Sequence, residues 1–293
     1  MIGPDAILTL VTLGVRDLAR SIATDLAAVG SPLALADLAG HKAELREPVM
    51  LLHSLGRLYN MAPPTQGTIS LMILGILDQL ELGKVAADSA DHVHLAVEAT
   101  KQAFLSRDRH ITDPAYMTVD AYQLLDRATL ALQVAAIKRD QALPWGAQSN
   151  RGDTVWMGAI DGAGRAVSMI QSIYHEFGSG VVLKGSHINW QNRGCSFALD
   201  ERALNTLKPR RKPFHTLNPA LAQLDDGRTI GRLGALDAVG QQTHGQHVVG
   251  QQAVGLARGE AQPHRASVIS NSSRNSRMQC ATPRAPAVAS ACT

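Results

Sequence analysis

A threonine that follows a polar, glycine-containing stretch and opens a β-branched run is the sharpest chemical signal in the chain. Gly146-Ala-Gln-Ser-Asn-Arg-Gly152 leads into Asp153 and Thr154, and Val-Trp-Met-Gly-Ala-Ile160 follows. A chain cut between Asp153 and Thr154 would give Thr154 both a hydroxyl nucleophile and a free α-amine. That amine titrates near neutrality and can act as the hydroxyl's own base. On spacing alone, a threonine that caps a strand after a loop is the better reading. Two other groupings read as structure. His92 and His94, with Asp88 and Asp91, are metal-ligand types, but residues two apart on a helix point to nearly opposite sides, so a solvated helix face and no metal are expected. Gly162-Ala163-Gly164 joins two strands where a dinucleotide fingerprint must open a helix, so a hairpin turn is expected. No metal or organic cofactor is implied.

The elements that would position Thr154 change type at that residue. Before it, the spacing of apolar residues predicts helices over Asp17–Ala28, Leu33–Leu45, Thr68–Leu80 and Val85–Ser106, the last with one wet face, and over Val119–Arg139. Pro63-Pro64, Asp113-Pro114 and Leu143-Pro144 punctuate them. After it, Thr154–Ile160, the turn Asp161–Gly164 and Arg165–Tyr174 form a β-hairpin pattern, with further short strands at Gly180–Leu183 and His187–Asn192. Helices followed by a sheet make an α+β arrangement.

Composition sets the class. The 293 residues are 45% hydrophobic and 18% charged, which suits a chain with a sizeable core. No apolar stretch reaches bilayer length and no secretory signal pattern opens the chain, so a soluble, cytoplasmic protein without membrane contact is expected, the periplasm being left open. Net charge is +3 with no basic run interleaved with aromatics, which argues against nucleic acid. Cys195, Cys280 and Cys292 form no CxxC pair, in keeping with a reducing compartment. No Phe, Trp or Tyr follows Phe214 and no Lys follows Lys212, so residues 231–293 read as a disordered or aberrant tail. The chain thus divides into a mainly helical region 1–153, a β region 154–230 and that tail.

Five ordered motifs carry a resemblance. Pro63-Pro64-Thr65-Gln66-Gly67, then His94-Leu-Ala-Val-Glu98-Ala-Thr-Lys101-Gln-Ala-Phe104-Leu-Ser-Arg107 with Asp113-Pro114, Gly152-Asp153-Thr154-Val-Trp-Met-Gly-Ala-Ile-Asp161, Phe177-Gly178-Ser-Gly180, and Pro213-Phe214-His215-Thr216-Leu217-Asn218-Pro219 stand in the order of the γ-glutamyltransferase (γ-glutamyltranspeptidase) family. The resemblance runs from about Asp17 to Ile230. It implies part of the αββα sandwich of N-terminal nucleophile hydrolases, self-cleavage between Asp153 and Thr154, a heterodimer of the two products, and catalysis on a small amide by the Thr154 hydroxyl.

Carried over position by position, the resemblance makes Ser172 the hydroxyl beside the nucleophile, where the family has threonine. Tyr174 stands where its transferases carry a substrate-binding asparagine. In Asn192-Arg193-Gly194-Cys195-Ser196, Arg193 and Ser196 occupy the places of an acceptor side chain and an aspartate that hold a glutamyl ammonium. His215-Thr216 replaces a serine pair that helps bind the substrate carboxylate. A guanidinium accepts no hydrogen bond and repels an ammonium, so these departures disfavour an α-amino acid donor and favour one whose free end is a carboxylate. Gln-Asn-Arg-Gly and Asp-Thr-Val-Trp resemble the branch of the family that contains oxamate amidohydrolase.

The glycine pair that forms the family's oxyanion hole has no counterpart between Ile230 and Thr293, and the family's early strands and carboxylate-binding arginine would precede Met1. An inactive, incomplete or frame-disrupted family member is therefore the rival expectation to an autoprocessing hydrolase.

Overall fold

The computed structural model describes residues 17–41, 45–145 and 155–231, and the backbone of 267–271. Its first elements are a helix over 17–28 (α1) and a short one at Leu35–Gly40 (α2). Strands Val49–His53 (β1) and Gly56–Asn60 (β2) then form a tight antiparallel hairpin. Four helices follow: Gly67–Gln79 (α3), Ala90–His110 (α4), Ala121–Leu125 (α5) and Arg127–Ala136 (α6). The rest is β: Val155–Ile160 (β3), Ala166–Gln171 (β4), Leu221–Leu224 (β5), Thr229–Ile230 (β6) and Ser267–Asn271 (β7). One sheet has the order β1-β2-β5-β6 and the other β4-β3-β7. Strands from both sides of residue 154 thus share the first sheet.

The sequence of α3, Gly-Thr-Ile-Ser-Leu-Met-Ile-Leu-Gly-Ile-Leu-Asp-Gln, has no strong polar face, and a helix apolar nearly all round must be surrounded. It is. Ile69, Leu71, Met72, Ile73 and Ile76 are fully buried, and α3 packs against α4, α5 and α6 as well as β1 and β2. Each such side chain stabilises the fold by about 1.5–3 kcal/mol. Strand β2 alternates Leu58 inward with Arg57 outward, as a strand with one core face requires. A smaller cluster of Ile22, Leu26 and Leu183 fastens α1 to the loop after β4.

Several expectations need correction. Val119–Arg139 is two helices because Asp126, with extended ψ, accepts from Ala128 N at 3.0 Å and caps a new helix instead of continuing the old one. Leu33–Leu45 contracts to Leu35–Gly40, with 42–44 outside the described residues. The helix expected over Val85–Ser106 begins at Ala90, where Ser89 Oγ caps His92 N at 3.1 Å, and it runs on to His110. Its supposedly solvated face is not wholly wet: His92 is buried, and His94 Nε2 meets the Lys138 carbonyl at 2.8 Å. The β1–β2 hairpin lies inside a region read as helical. Gly180–Leu183 and His187–Asn192 meet only through the isolated bridge Val182↔Asn189. The β3–β4 hairpin stands as expected, with a turn over Asp161–Gly164 in which Asp161 accepts from the backbone of Ala163 and Arg165. Ser267–Asn271, within the stretch read as a disordered or aberrant tail, pairs antiparallel with β3. No helix among the described residues is long and apolar enough to cross a membrane.

Gly67 marks where α3 meets the preceding loop. A Cβ there would overlap the Met61 carbonyl and come within 2.6 Å of Asn60 Oδ1, both held in place by the fold. Gly67→Ala should therefore destabilise the protein by about 1–3 kcal/mol in urea unfolding. An unchanged midpoint would show that this loop yields freely.

Candidate functional site

The ladder of the second hairpin ends at Val155↔Gln171. Ser172, the next residue, turns the chain: its Oγ accepts from Tyr174 N at 2.9 Å. Tyr174 has φ +82°, a conformation that costs a non-glycine residue roughly 1–3 kcal/mol, so the expected strand stops short of Tyr174. The turn presents the Tyr174 ring to two partners. It stacks on His175 at 4.6 Å with 21° between planes, and the Arg193 guanidinium lies 4.4 Å from its centroid.

Asn192 secures this arrangement. Its Oδ1 accepts from His175 N at 3.2 Å and its Nδ2 meets His175 Nδ1 at 3.0 Å. With an amide donating to Nδ1, the neutral imidazole carries its proton on Nε2. Gln191 Oε1 accepts from Arg193 N at the start of a 3-10 turn, Arg193–Ser196. Residues three apart in such a turn eclipse one another, which stacks Arg193 and Ser196 on one side.

His215 comes from the far side. Its carbonyl accepts from Gln66 N at 2.9 Å and its N–H donates to the Pro64 carbonyl at 3.2 Å, a two-bond clasp to the loop before α3. Burial, and then the positive charge of Arg193, lower the imidazole pKa to about 4. Burial also lowers the pKa of Arg193, and Tyr174 opposes the shift. Among the described residues, Arg193 Nη1, Ser196 Oγ and His215 Nδ1 are buried and find no hydrogen-bond partner. Buried polar atoms are nearly always paired, each orphan costing about 1–3 kcal/mol, so each of these three could form a hydrogen bond with a bound molecule. Between them they offer a permanent cationic donor, a hydroxyl and a neutral imidazole nitrogen, a set matched to a small anion.

The segment carrying His215 is stitched to the helices. Arg107 Nη1 donates to Gln66 Oε1 at 3.3 Å, Asn218 Nδ2 to Ser70 Oγ at 2.6 Å, and Lys212 N to Asp113 Oδ2 at 2.8 Å. Buried Arg211 donates to Thr112 Oγ1 at 2.7 Å and to the carbonyls of Thr206 and Leu204. Of the residues singled out from the sequence, Tyr174, Asn192 and Arg193 thus lie on segments that support one another, Ser172 sets their turn, Ser196 shares the 3-10 turn of Arg193, and His215 sits on a segment held to the helices and feels the charge of Arg193. Thr216 is exposed. Asp153 and Thr154 lie outside the described residues, as do Cys280 and Cys292; Cys195 is a free, exposed thiol. His175 and Gln191 were not foreseen, since their roles depend on a turn without a local sequence signature.

Comparison with known proteins gives concordant findings. The sequence profile of the family described as Gamma-glutamyltranspeptidase matches residues 16–253, beyond the Ile230 limit of the resemblance read from motifs. The oxamate amidohydrolase proenzyme of Klebsiella pneumoniae is 53% identical over 213 residues, covering 73% of this chain and 40% of that protein. The glutathione hydrolase-like YwrD proenzyme of Bacillus subtilis is 38% identical over 205 residues, covering 70% and 39%. Among solved structures, the cephalosporin acylase from Bacillus halodurans superposes with a TM-score of 0.61 at 32% identity, covering 72% of this chain and 38% of that one. The chain thus spans about 40% of the length of these curated relatives.

The depressed pKa of His215 has a consequence for stability. Between pH 6.5 and about 4 the unfolded imidazole holds a proton that the folded one refuses, so unfolding takes up protons there. This contribution is fully present above pH 6.5 and is lost as the pH falls towards 4, with a ceiling of about 3 kcal/mol. Urea midpoints measured across this range should fall more steeply for a Thr154→Ala chain than for the same chain with His215→Gln. Parallel curves would mean that His215 is hydrated.

Proposed function

Because the chain belongs to the gamma-glutamyltranspeptidase family, we propose that it acts as an autoprocessing amidohydrolase with Thr154 as nucleophile. In maturation the Thr154 hydroxyl adds to the Asp153 carbonyl. The peptide C–N bond breaks as the ester C–O bond forms, and the hydroxyl proton passes to the departing nitrogen. Water then hydrolyses the ester, leaving a carboxyl group on Asp153 and a free α-amine and restored hydroxyl on Thr154. In turnover that amine takes the hydroxyl proton as the oxygen attacks an amide and returns it to the leaving amine, after which water releases the acid. The ladder ending at Val155↔Gln171 supports this reading, because its end residues are the chain neighbours of Thr154 and Ser172.

The observation that carries the choice of donor is the trio of buried atoms without a partner among the described residues, Arg193 Nη1, Ser196 Oγ and His215 Nδ1. A donor carboxylate would complete all three, each charge-assisted bond contributing about 1.5–3 kcal/mol. A glutamyl ammonium would find no acceptor carboxylate among them and would meet a like charge at Arg193. The donor class is therefore an amide whose free end is a carboxylate, such as oxamate or a glutaryl amide. The name of the Klebsiella pneumoniae relative points the same way.

Two outcomes test this. Mass spectrometry should find wild-type chain divided before Thr154 and Thr154→Ala intact; identical processing of both would remove Thr154 from its role. Ammonia release from oxamate should exceed that from γ-glutamyl amides, and Arg193→Gln should lower oxamate turnover per KM by about tenfold or more. Preference for γ-glutamyl amides, unaffected by Arg193→Gln, would sink the carboxylate assignment.

A further inference from the structure

Two pairs of chain neighbours, Tyr174-His175 and Asn192-Arg193, are joined to each other twice. His175 and Asn192 meet through two hydrogen bonds, His175 N to Asn192 Oδ1 at 3.2 Å and Asn192 Nδ2 to His175 Nδ1 at 3.0 Å. Tyr174 and Arg193 meet ring to guanidinium, 4.4 Å from the ring centroid. A backbone bond from Asn192 N to the Ile173 carbonyl, 3.3 Å long, runs alongside. The circuit closes through the stack of the two rings, whose centroids are 4.6 Å apart. Neighbouring side chains of an extended strand point to opposite faces. The left-handed φ of Tyr174 breaks that alternation, so the imidazole can lie against the phenol ring.

What the circuit holds is the guanidinium. Arg193 is the permanent cation of the candidate site, and its Nη1 is buried without a partner among the described residues. Its long stem would have to be ordered on binding unless the protein orders it beforehand. Among the described residues Tyr174 alone opposes the effect of burial on its pKa, so no carboxylate holds it there. The Tyr174 ring therefore sets where the guanidinium lies, and the imidazole sets where the ring lies. His175 is exposed, so burial does not fix its ring; the Asn192 amide does. That amide is fixed in its sense, because an Oδ1 that accepts from a backbone N–H leaves Nδ2 to face Nδ1. We propose that His175 and Asn192 are positioning residues for anion recognition: they hold the Tyr174 ring, and through it the Arg193 guanidinium, in the orientation that receives the donor carboxylate. The proposal rests on the reading of Arg193 as the partner of that carboxylate. It places His175 and Asn192 behind the arginine, where neither has to touch the substrate.

Oxalate, which carries the free carboxylate of oxamate and has no amide to cleave, is the probe, titrated by calorimetry into the full chain. Arg193→Gln should weaken its binding by about tenfold or more. His175→Ala and Asn192→Ala should each weaken it by about threefold to tenfold, the factor for ordering one long side chain anew. In the Arg193→Gln chain, adding either should weaken it no further, because both act through that arginine. A second loss of similar size there would mark them as supports of the fold at large and overturn the proposal. Affinity lowered by Arg193→Gln but by neither of the other two would also overturn it, and would leave the carboxylate reading standing. Absence of binding, or affinity indifferent to Arg193→Gln, would overturn the reading and the proposal together. A readout on the unsubstituted chain without ligand stands even where a variant fails to fold. NMR of the imidazole nitrogens should find His175 as the Nε2–H tautomer, and a mixture of tautomers would show that Asn192 does not hold the ring and would sink the proposal.

Discussion

The backbone clasp between the loop before α3 and His215 is the constraint on which the site depends. Two hydrogen bonds, Gln66 N to the His215 carbonyl and His215 N to the Pro64 carbonyl, join segments that lie about half the chain apart. Closing so long a loop has an entropic cost that two bonds cannot meet alone. The clasp survives because each side is independently rigid. Gln66 precedes a helix buried on all faces, and the residues around His215 are fixed by Arg211, Lys212 and Asn218 to the ends of α3 and α4. Strand β5, a few residues further on, pairs with β2 and closes the same circuit through the sheet. A change anywhere in this circuit is thus felt at His215.

That rigidity explains how a half-buried guanidinium and imidazole stay in place at the site. Arg193 and His215 are both drawn out of water, and the charge of one lowers the pKa of the other. Only a protonated imidazole would be repelled by the guanidinium, and the lowered pKa of His215 keeps it neutral near pH 7. Here the imidazole is held by its own backbone bonds, and the guanidinium lies over the Tyr174 ring, while the Gln191 side chain accepts from the Arg193 backbone N–H. The strained φ of Tyr174 belongs to the same arrangement, since it turns that ring towards Arg193. Polar groups held in this way are preorganised, since they stand in place without having to be gathered.

Much of this was legible in the sequence, for identifiable reasons. Long apolar periodicity gave α3 and α4, and the Asp-Gly-Ala-Gly turn between β-branched arms gave β3 and β4, because those signals are local. The hairpin β1–β2 was not legible. Its two-residue connection, Ser54-Leu55, lacks the usual Asn-Gly or Asp-Gly, and the turn draws on a distant residue instead: Asp78 accepts from Ser54 N at 3.0 Å. The break at Asp126 was misread because a helix-capping aspartate inside an apolar pattern looks like an exposed helical position until its ψ is known. At the site, Arg193, Ser196 and His215 were found by matching motifs, which give residue identity without geometry. Their missing hydrogen-bond partners could be learned only from the fold.

The same contrast bears on the motif His94–Arg107, the longest of the five. In sequence it is an amphipathic helix with charges at helical spacing, and its bland reading is a solvated face. In the fold these charges are bonded to the protein on two sides of the helix, Glu98 and Lys101 to the backbone of Leu143 and Arg107, on the opposite side from Glu98, to the side chain of Gln66. Inward charges seldom improve on apolar packing in energy, but they do so in register, since each bond is satisfied by one backbone or side-chain group and no other. One helix therefore fixes two things at once: the backbone of Leu143 at one end, and at the other the Gln66 side chain, whose own backbone N–H bonds the His215 carbonyl.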